Sequence, residues 1–278
     1  MIELINKKEN ILEDNIAFVE QWDFSKANFN EQNRILAITQ VASICYQSPK
    51  ALGSESLYNR LMAESMGLPS SSFEFVPVLL DPKNEKHQEV LKKEYSNAKK
   101  FGEVVEGNLL LTNYRALVYD FEENPKDYSF DIRTIYNSLE ECEIIKKHFK
   151  VFLYKVDLPT RSQMVRHRIS WQELSRRYVS GKRVPFDFYI SRKLKEVESN
   201  NKSTQALIDL CVEHYYKALE DGVKPQEARR IIPQAAYSQL WGAYLPTQLD
   251  NYFKLRLDSH AQWEIMQTAI AMKELVEN

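Results

Sequence analysis

The stretch RHRISWQELSRRYVSGKR, residues 166–183, concentrates positive charge: six of its eighteen positions are Lys or Arg, one is His, and Glu173 is the only acid. The whole chain of 278 residues carries a formal net charge of −2. Two kinds of chemistry compete for such a cluster. A solvated basic face would touch nucleic acid, whereas converging arginines would line a pocket for a small anion. Arginine offers planar bidentate donors to phosphate and carbonyl oxygens, serine a hydroxyl, and glutamate an acceptor for ribose or ring N–H groups. Ile169, Trp171 and Leu174 interleave the charges, so part of the segment must be buried. Buried guanidinium groups are costly without anionic partners. That favours the pocket, with a nucleotide or dinucleotide as the fitting ligand. A pI near 6.3 also counts against a dedicated nucleic-acid binder.

The elements that must position this stretch follow from hydrophobic pattern and caps. FKVFLYKVDL (149–158) reads as a strand feeding PTRSQMVRHR, where Pro159 suits a helix start. If that helix continues through the motif, Gln163, Arg166 and His167 share one face, with Arg168 one position off. An extended run over 173–177 would point Glu173, Ser175 and Arg177 one way. Upstream, residues 32–46 and SESLYNRLMAESM read as helices, and SSSFEFVPVLL as strand-like, broken by Pro77. EKHQEVLKKEYSNAKK reads as a polar helix, NLLLTNYRALVYDF as strand or helix, and FEENPKDYSF as a loop. Ser138 and Glu141 stand in capping-box spacing. TQALIDLCVEHYYKALEDG predicts an amphipathic helix ending at Gly222, and Pro225 starts PQEARRIIPQAAYSQLW, interrupted by Pro233. The last helix is expected in LDSHAQWEIMQTAIAMKELVEN, capped by Ser259 and Gln262, with Trp263, Met266, Ile270 and Leu275 on its apolar face. The sum is a helix-rich α+β fold.

Composition bounds the rest. Apolar residues make up 44% and aromatics 12%, a globular balance. Cys45, Cys142 and Cys211 lie far apart, which predicts a reducing compartment without disulfides or a zinc knuckle. The N-terminus lacks an apolar signal core and no long apolar run occurs, so a cytoplasmic protein with no membrane partner is expected. Neither GxGxxG nor a Walker A motif is present, and HExxH or clustered His/Cys ligands are absent, so no metal is expected. Cys142 and Cys211 read as small core residues, His87, His148 and His214 as residues without a role, and His260 as a capping-turn side chain. Trp171, Trp241 and Trp263 read as core or interface.

RHR followed by ELSRRY resembles the signature of the flavin-dependent thymidylate synthases, RHR then seven residues then Ser. EARRIIPQ and LDNYFKLRLDSHAQWEI resemble the same family's second hallmark, in the same order. QVASICYQS and SSSFEF are similar to its N-terminal elements, so the resemblance covers roughly residues 35–76 and 149–275. It implies reductive methylation of dUMP at C5, with methylenetetrahydrofolate as carbon donor and NADPH-reduced FAD as hydride source. It implies that no enzyme cysteine adds to the pyrimidine, which is polarised by fixed positive charge instead. The implied fold is a single domain over 1–278 with a small mixed or antiparallel sheet, assembled as a homotetramer whose sites are shared between subunits; no nucleic-acid partner is implied.

By match, Gln163, Arg166, Arg229 and Arg256 contact dUMP, and Glu173, Leu174, Ser175, Arg176 and Arg177 wrap its phosphate and sugar. Arg256 is the matched catalytic residue, at the N3–O4 edge of the ring. Cys45, Ser71, Arg166, His167, Arg168, Glu173 and Asn251 match FAD-binding positions. Ser175, with no evident base beside it, is assigned to ligand binding. The chain departs from the pattern in four places. Six residues, not seven, separate RHR from Ser175; Gln172 replaces Asn; Pro69 and Phe75 stand where histidines are common; and Leu245 and Thr247 replace an Asn and an Arg. Residues 77–148 are an apparent insertion whose LTNYRALVYDF echoes the missing Asn-x-Arg segment, so Asn113 and Arg115 are candidate flavin contacts. Two alternatives stay open: a diverged paralogue acting on another pyrimidine nucleotide or lacking flavin-dependent activity, and a non-enzymatic nucleic-acid-binding protein.

Overall fold

The computed structural model describes residues 2–14, 16–63 and 68–277. Among them the strands run β1 (Glu3–Glu9), β2 (Phe18–Asp23), β3 (Pro77–Leu80), β4 (Glu103–Val104), β5 (Leu110–Asn113), β6 (Lys150–Asp157), β7 (Ser170–Glu173), β8 (Glu198–Ser199), β9 (Lys202–Ser203) and β10 (Tyr237–Tyr244). Five form one antiparallel sheet in the order β1-β2-β6-β10-β7. A second antiparallel sheet has the order β3-β5-β4, and β8 and β9 make a short hairpin. The fold is α+β, as expected.

β10 carries the architecture, although its sequence reads only as the tail of a helical segment. Seven of its eight residues are buried, because it lies inside the sheet with both faces covered. A strand buried on both faces loses the polar alternation that would mark it. Gly242 is required at its centre: an added Cβ would stand 2.7 Å from the ring of Trp171, its partner on β7.

The helices are α1 (Glu31–Tyr46), α2 (Glu55–Met62), α3 (Glu85–Leu91), α4 (Asn97–Lys100), α5 (Tyr114–Glu123), α6 (Leu139–His148), α7 (Leu158–Met164), α8 (Arg192–Lys195), α9 (Thr204–Glu220), α10 (Pro225–Ala228), α11 (Pro246–Arg256) and α12 (Trp263–Glu277). Side chains cap many of them: Asn30 accepts from the Asn33 N–H, Ser54 from Leu57, and Ser138 and Glu141 form the expected capping box. The predicted extension of α2 to Met66 takes in residues 64–66, which lie outside the described residues. The polar helix expected over 85–100 is two helices, because Ser96 caps a new start at α4. Pro77 opens β3 rather than breaking a strand, a position where its missing N–H is harmless. NLLLTNYRALVYDF contains both predicted states, β5 followed directly by α5.

Two apolar layers cover the large sheet. On one side Ile38 and Val41 of α1 pack with Val78, Leu111 and Leu117 from the 77–148 segment and with Val151 and Trp241. On the other, Ile265, Ala269 and Met272 of α12 cover Phe152, Tyr154 and Tyr244. This corrects the predicted face of α12: Trp263 and Ile270 are 38% and 36% exposed, while Leu275 is buried. Its predicted start also shifts. The helix begins at Trp263, so Ser259 lies in the preceding turn and no box forms with it.

Candidate functional site

α7 ends at Met164, with Val165 as its cap, so the basic motif is not helical as anticipated. It leaves the helix through a tight turn instead. The His167 N–H donates to the Met164 carbonyl, and Ile169 N–H and the Trp171 indole both donate to the His167 carbonyl, each at 3.0 Å. The chain then enters β7 beside β10. β10 runs directly into α11, which returns Arg256 to the same turn. Arg256 Nε donates to His167 Nε2 at 2.8 Å, and its Nη2 to the Gln163 carbonyl at 3.0 Å. The two hallmarks, some ninety residues apart, therefore meet through one side chain. His167 is buried and packs on Tyr252 with ring centroids 4.8 Å apart. Burial, and then the charge of Arg256, lower its pKa to about 4, so it is neutral and accepts the arginine's proton donor.

Three cavities border this framework. One of about 1240 Å³ is lined by Arg166, His167, Arg168 and Trp171 on one side and by Lys100 and Arg115 of the 77–148 segment on the other. An adjoining one of about 350 Å³ is lined by Arg166, His167, Arg168, Asn251 and Arg256. A third, of about 490 Å³, is lined by Glu173, Leu174, Ser175, Arg176 and Arg229. The expected dUMP residues thus fall into two groups. Arg166 and Arg256 sit at the first two cavities, with Gln163 supplying its carbonyl to Arg256 and its side chain to Gln262 at 2.6 Å. The ELSR residues and Arg229 sit at the third.

The expected 173–177 alternation does not occur. β7 ends at Glu173, and a turn closes from Ser175 to Tyr178 and Val179. That turn points Arg177 to solvent, over the Tyr178 ring at 5.1 Å. Arg176 donates to the Val184 and Pro185 carbonyls and lies 4.2 Å over Phe186. Glu173 accepts a bidentate pair from Arg161, at 2.8 and 2.7 Å, and a bond from Ser238 at 3.0 Å. Arg161 was missed by the sequence reading. The signal was present: the single acid of a basic stretch needs a fixed cation, and α7 supplies it. Among the described residues no base is hydrogen-bonded to the Ser175 hydroxyl.

The expected FAD residues also divide. Arg166, His167 and Arg168 line the 1240 Å³ cavity and Asn251 its 350 Å³ neighbour. Cys45 and Ser71 line neither. They converge on Gln172, which faces away from Trp171: Ser71 donates to its Oε1 at 2.6 Å, and its Nε2 donates to Cys45 Sγ at 2.8 Å. Asn113 caps α5 through the Ala116 N–H, and Arg115 binds the Pro69 carbonyl, Glu74 and the Tyr119 hydroxyl. Both line the cavity, but the Arg115 guanidinium and the Asn113 Oδ1 are committed within the protein.

The 1240 Å³ cavity suits a dinucleotide cofactor in size and donor set: cations for phosphates and the Trp171 and Phe101 rings for flat heterocycles. Among the described residues no helix is long and apolar enough to cross a membrane, and no His/Cys/Asp/Glu cluster could hold a metal.

Comparison with known proteins gives the relatives of this chain. Residues 141–278 match the family described as thymidylate synthase complementing protein. A flavin-dependent thymidylate synthase of Geobacter sulfurreducens is 31% identical over 116 residues, covering 41% of this chain and 50% of that protein. One from Thermosipho africanus is 35% identical over 140 residues, with 60% of it covered. The chain therefore spans about half to three fifths of these two curated relatives. A solved UMP/dUMP methylase, PolB of Streptomyces cacaoi bound with 5-Br UMP, is 25% identical over 45% of this chain and 67% of its own, with a TM-score of 0.38. The flavin-dependent thymidylate synthase of Thermotoga neapolitana is 30% identical over 174 residues, 59% of this chain and 79% of that protein. On that coverage the chain belongs to the flavin-dependent thymidylate synthase family.

Proposed function

We propose that the protein carries out the family's reaction, reductive methylation of dUMP at C5 to dTMP with methylenetetrahydrofolate as carbon donor. The observation that carries this reading is the Arg256 contact with the RHR turn beside a dinucleotide-sized basic cavity. FAD, reduced by NADPH, is the hydride source and would be held by Arg166, His167 and Arg168, with Asn251 at the adjoining opening. Arg256 presents a fixed cation to the N3–O4 edge of the pyrimidine. Charge developing there as C5 becomes nucleophilic is stabilised by a group already in place, so little reorganisation is needed during the reaction. Neutral His167 holds that guanidinium by its Nε and the Gln163 carbonyl holds Nη2, which leaves Nη1 for the substrate. Glu173, itself pinned by Arg161, and Arg176 with Arg229 form the seat for sugar and phosphate. Ser175 binds ligand rather than attacking it.

The division of the dUMP residues supports a homotetramer with shared sites. Arg256 and Arg229 line different cavities, an arrangement in keeping with a nucleotide held between two copies of the chain. The same reading treats residues 1–278 as one catalytic domain, because the 77–148 insertion shares its core with α1 and the large sheet. A cytoplasmic location is in keeping with three cysteines that form no disulfide. The test is direct. Purified protein should show a flavin absorbance spectrum, oxidise NADPH faster with dUMP, and restore growth of a thymidine-requiring bacterial strain. Failure of all three overturns the reading, and methylation of a different pyrimidine nucleotide in their place would establish the diverged alternative.

A further inference from the structure

Residues 97–103 of the insertion run along the wall of the 1240 Å³ cavity and are held at both ends. At the start, the buried Asp120 carboxylate accepts the Asn97 and Ala98 N–H groups, at 2.6 and 3.1 Å. At the far end, Gly102 is packed so closely that an added Cβ would meet the Ala98 carbonyl at 2.6 Å and that of Leu111 at 3.0 Å. Glu103 then pairs with Leu111 in β4–β5, and its carboxylate accepts the Thr247 N–H at 3.0 Å and the Thr247 hydroxyl at 2.5 Å. That bond ties the insertion to the first turn of α11, the helix that carries Asn251 and Arg256.

Between these anchors Lys100 and Phe101 are exposed, and both line the cavity. The Lys100 ammonium lies 5.2 Å from the Phe101 ring centroid and makes no ion pair among the described residues. Arg166 and Arg168 on the opposite segment make none either. Glu74, Glu103 and Glu123 line the cavity too, but Glu74 is held by Arg115 and Glu103 by Thr247. Lys100, Arg166 and Arg168 therefore outnumber the one remaining carboxylate and favour an anion placed among them. At the α11 rim of the same cavity, Leu245 and Thr247 supply no charge. Arg115, bound to Pro69, Glu74 and Tyr119, is a strut for the cavity wall rather than a free donor.

We propose that Lys100 and Phe101 form a cofactor-binding element built by the insertion. Lys100 pairs with a phosphate of the dinucleotide, and Phe101 covers one of its flat rings. This rests on the flavin reading above. The test titrates FAD and riboflavin into flavin-free protein, followed by quenching of flavin fluorescence, for wild type, Lys100→Glu and Phe101→Ala. Lys100→Glu is expected to weaken FAD by about tenfold or more, as loss of a charge-assisted contact does, and to leave riboflavin, which has no phosphate, unchanged. Phe101→Ala is expected to weaken both. Both side chains are exposed, so thermal midpoints and dUMP affinity should match wild type. Wild-type FAD affinity in Lys100→Glu would overturn the proposal while leaving the flavin reading intact. Absence of flavin binding in the wild type would overturn both.

Discussion

The His167–Arg256 contact makes stability depend on pH in a direction that can be worked out in advance. His167 has an ordinary pKa of 6.5, and in the fold burial and the neighbouring guanidinium lower it to about 4. The unfolded chain therefore binds more protons than the folded one between those values, so stability rises with pH across the window. The contribution is complete above pH 6.5 and is lost as pH falls toward 4. With these two pKa values, lowering the pH from 7 to 5 removes about 2 kcal/mol. His167 is only 7% exposed but borders two cavities, so the figure is an upper value. His167→Gln keeps an oxygen able to accept from Arg256 Nε but cannot take up the proton. Urea unfolding of both proteins at pH 7 and pH 5 measures the difference. Other titrating groups, including buried His87, whose pKa is also lowered by burial, are common to both proteins and cancel. Wild type should lose up to about 2 kcal/mol more than the variant over this interval. Equal losses would refute the neutral-acceptor role of His167.

Three further outcomes follow from the geometry. Arg256→Ala and Arg229→Ala should each abolish dTMP formation, and subunits of the two variants mixed and re-annealed should regain roughly a quarter of wild-type turnover if sites are shared; no recovery would place both residues in one subunit's site. Gly242→Ala would drive a Cβ into the Trp171 ring, 2.7 Å away, and should lower unfolding free energy by about 1–3 kcal/mol in a denaturant titration. Arg161→Ala removes the bidentate partner of Glu173, and because the two side chains remain 30% and 28% exposed the stability loss should be only about 1 kcal/mol. The dUMP KM in that variant should rise well beyond what so small a loss explains, and an unchanged KM would show that Glu173 needs no positioning.

Much of the local structure was legible because its causes are local. The Ser138–Glu141 box, the Pro159 start of α7 and the Gly222 end of α9 each rest on contacts within about four residues. The α12 face was misread because its seam is set by the sheet residues it covers, Phe152, Tyr154 and Tyr244. Period alone allowed Trp263 and Ile270, whereas packing chose Ile265, Ala269 and Met272. β10 escaped notice for a related reason. Burial on both faces removes alternation, and what identifies it is its pairing with β6 and β7, from segments more than sixty residues upstream.

The sequence by itself determined which chemistry was available: a cluster of arginines with one acid, a second hallmark carrying Arg256, and no metal or disulfide pattern. It also determined the family, since those residue types recur in order. Only the tertiary structure decided how they are distributed. It placed Arg256 on His167, sent Arg161 to Glu173, put Arg256 and Arg229 at different cavities, and laid the insertion along the RHR cavity. Residue identity states which bonds a side chain is able to make. Strand register and helix docking choose among them, because the cavities around the RHR turn and Glu173 are lined by segments far apart in the chain.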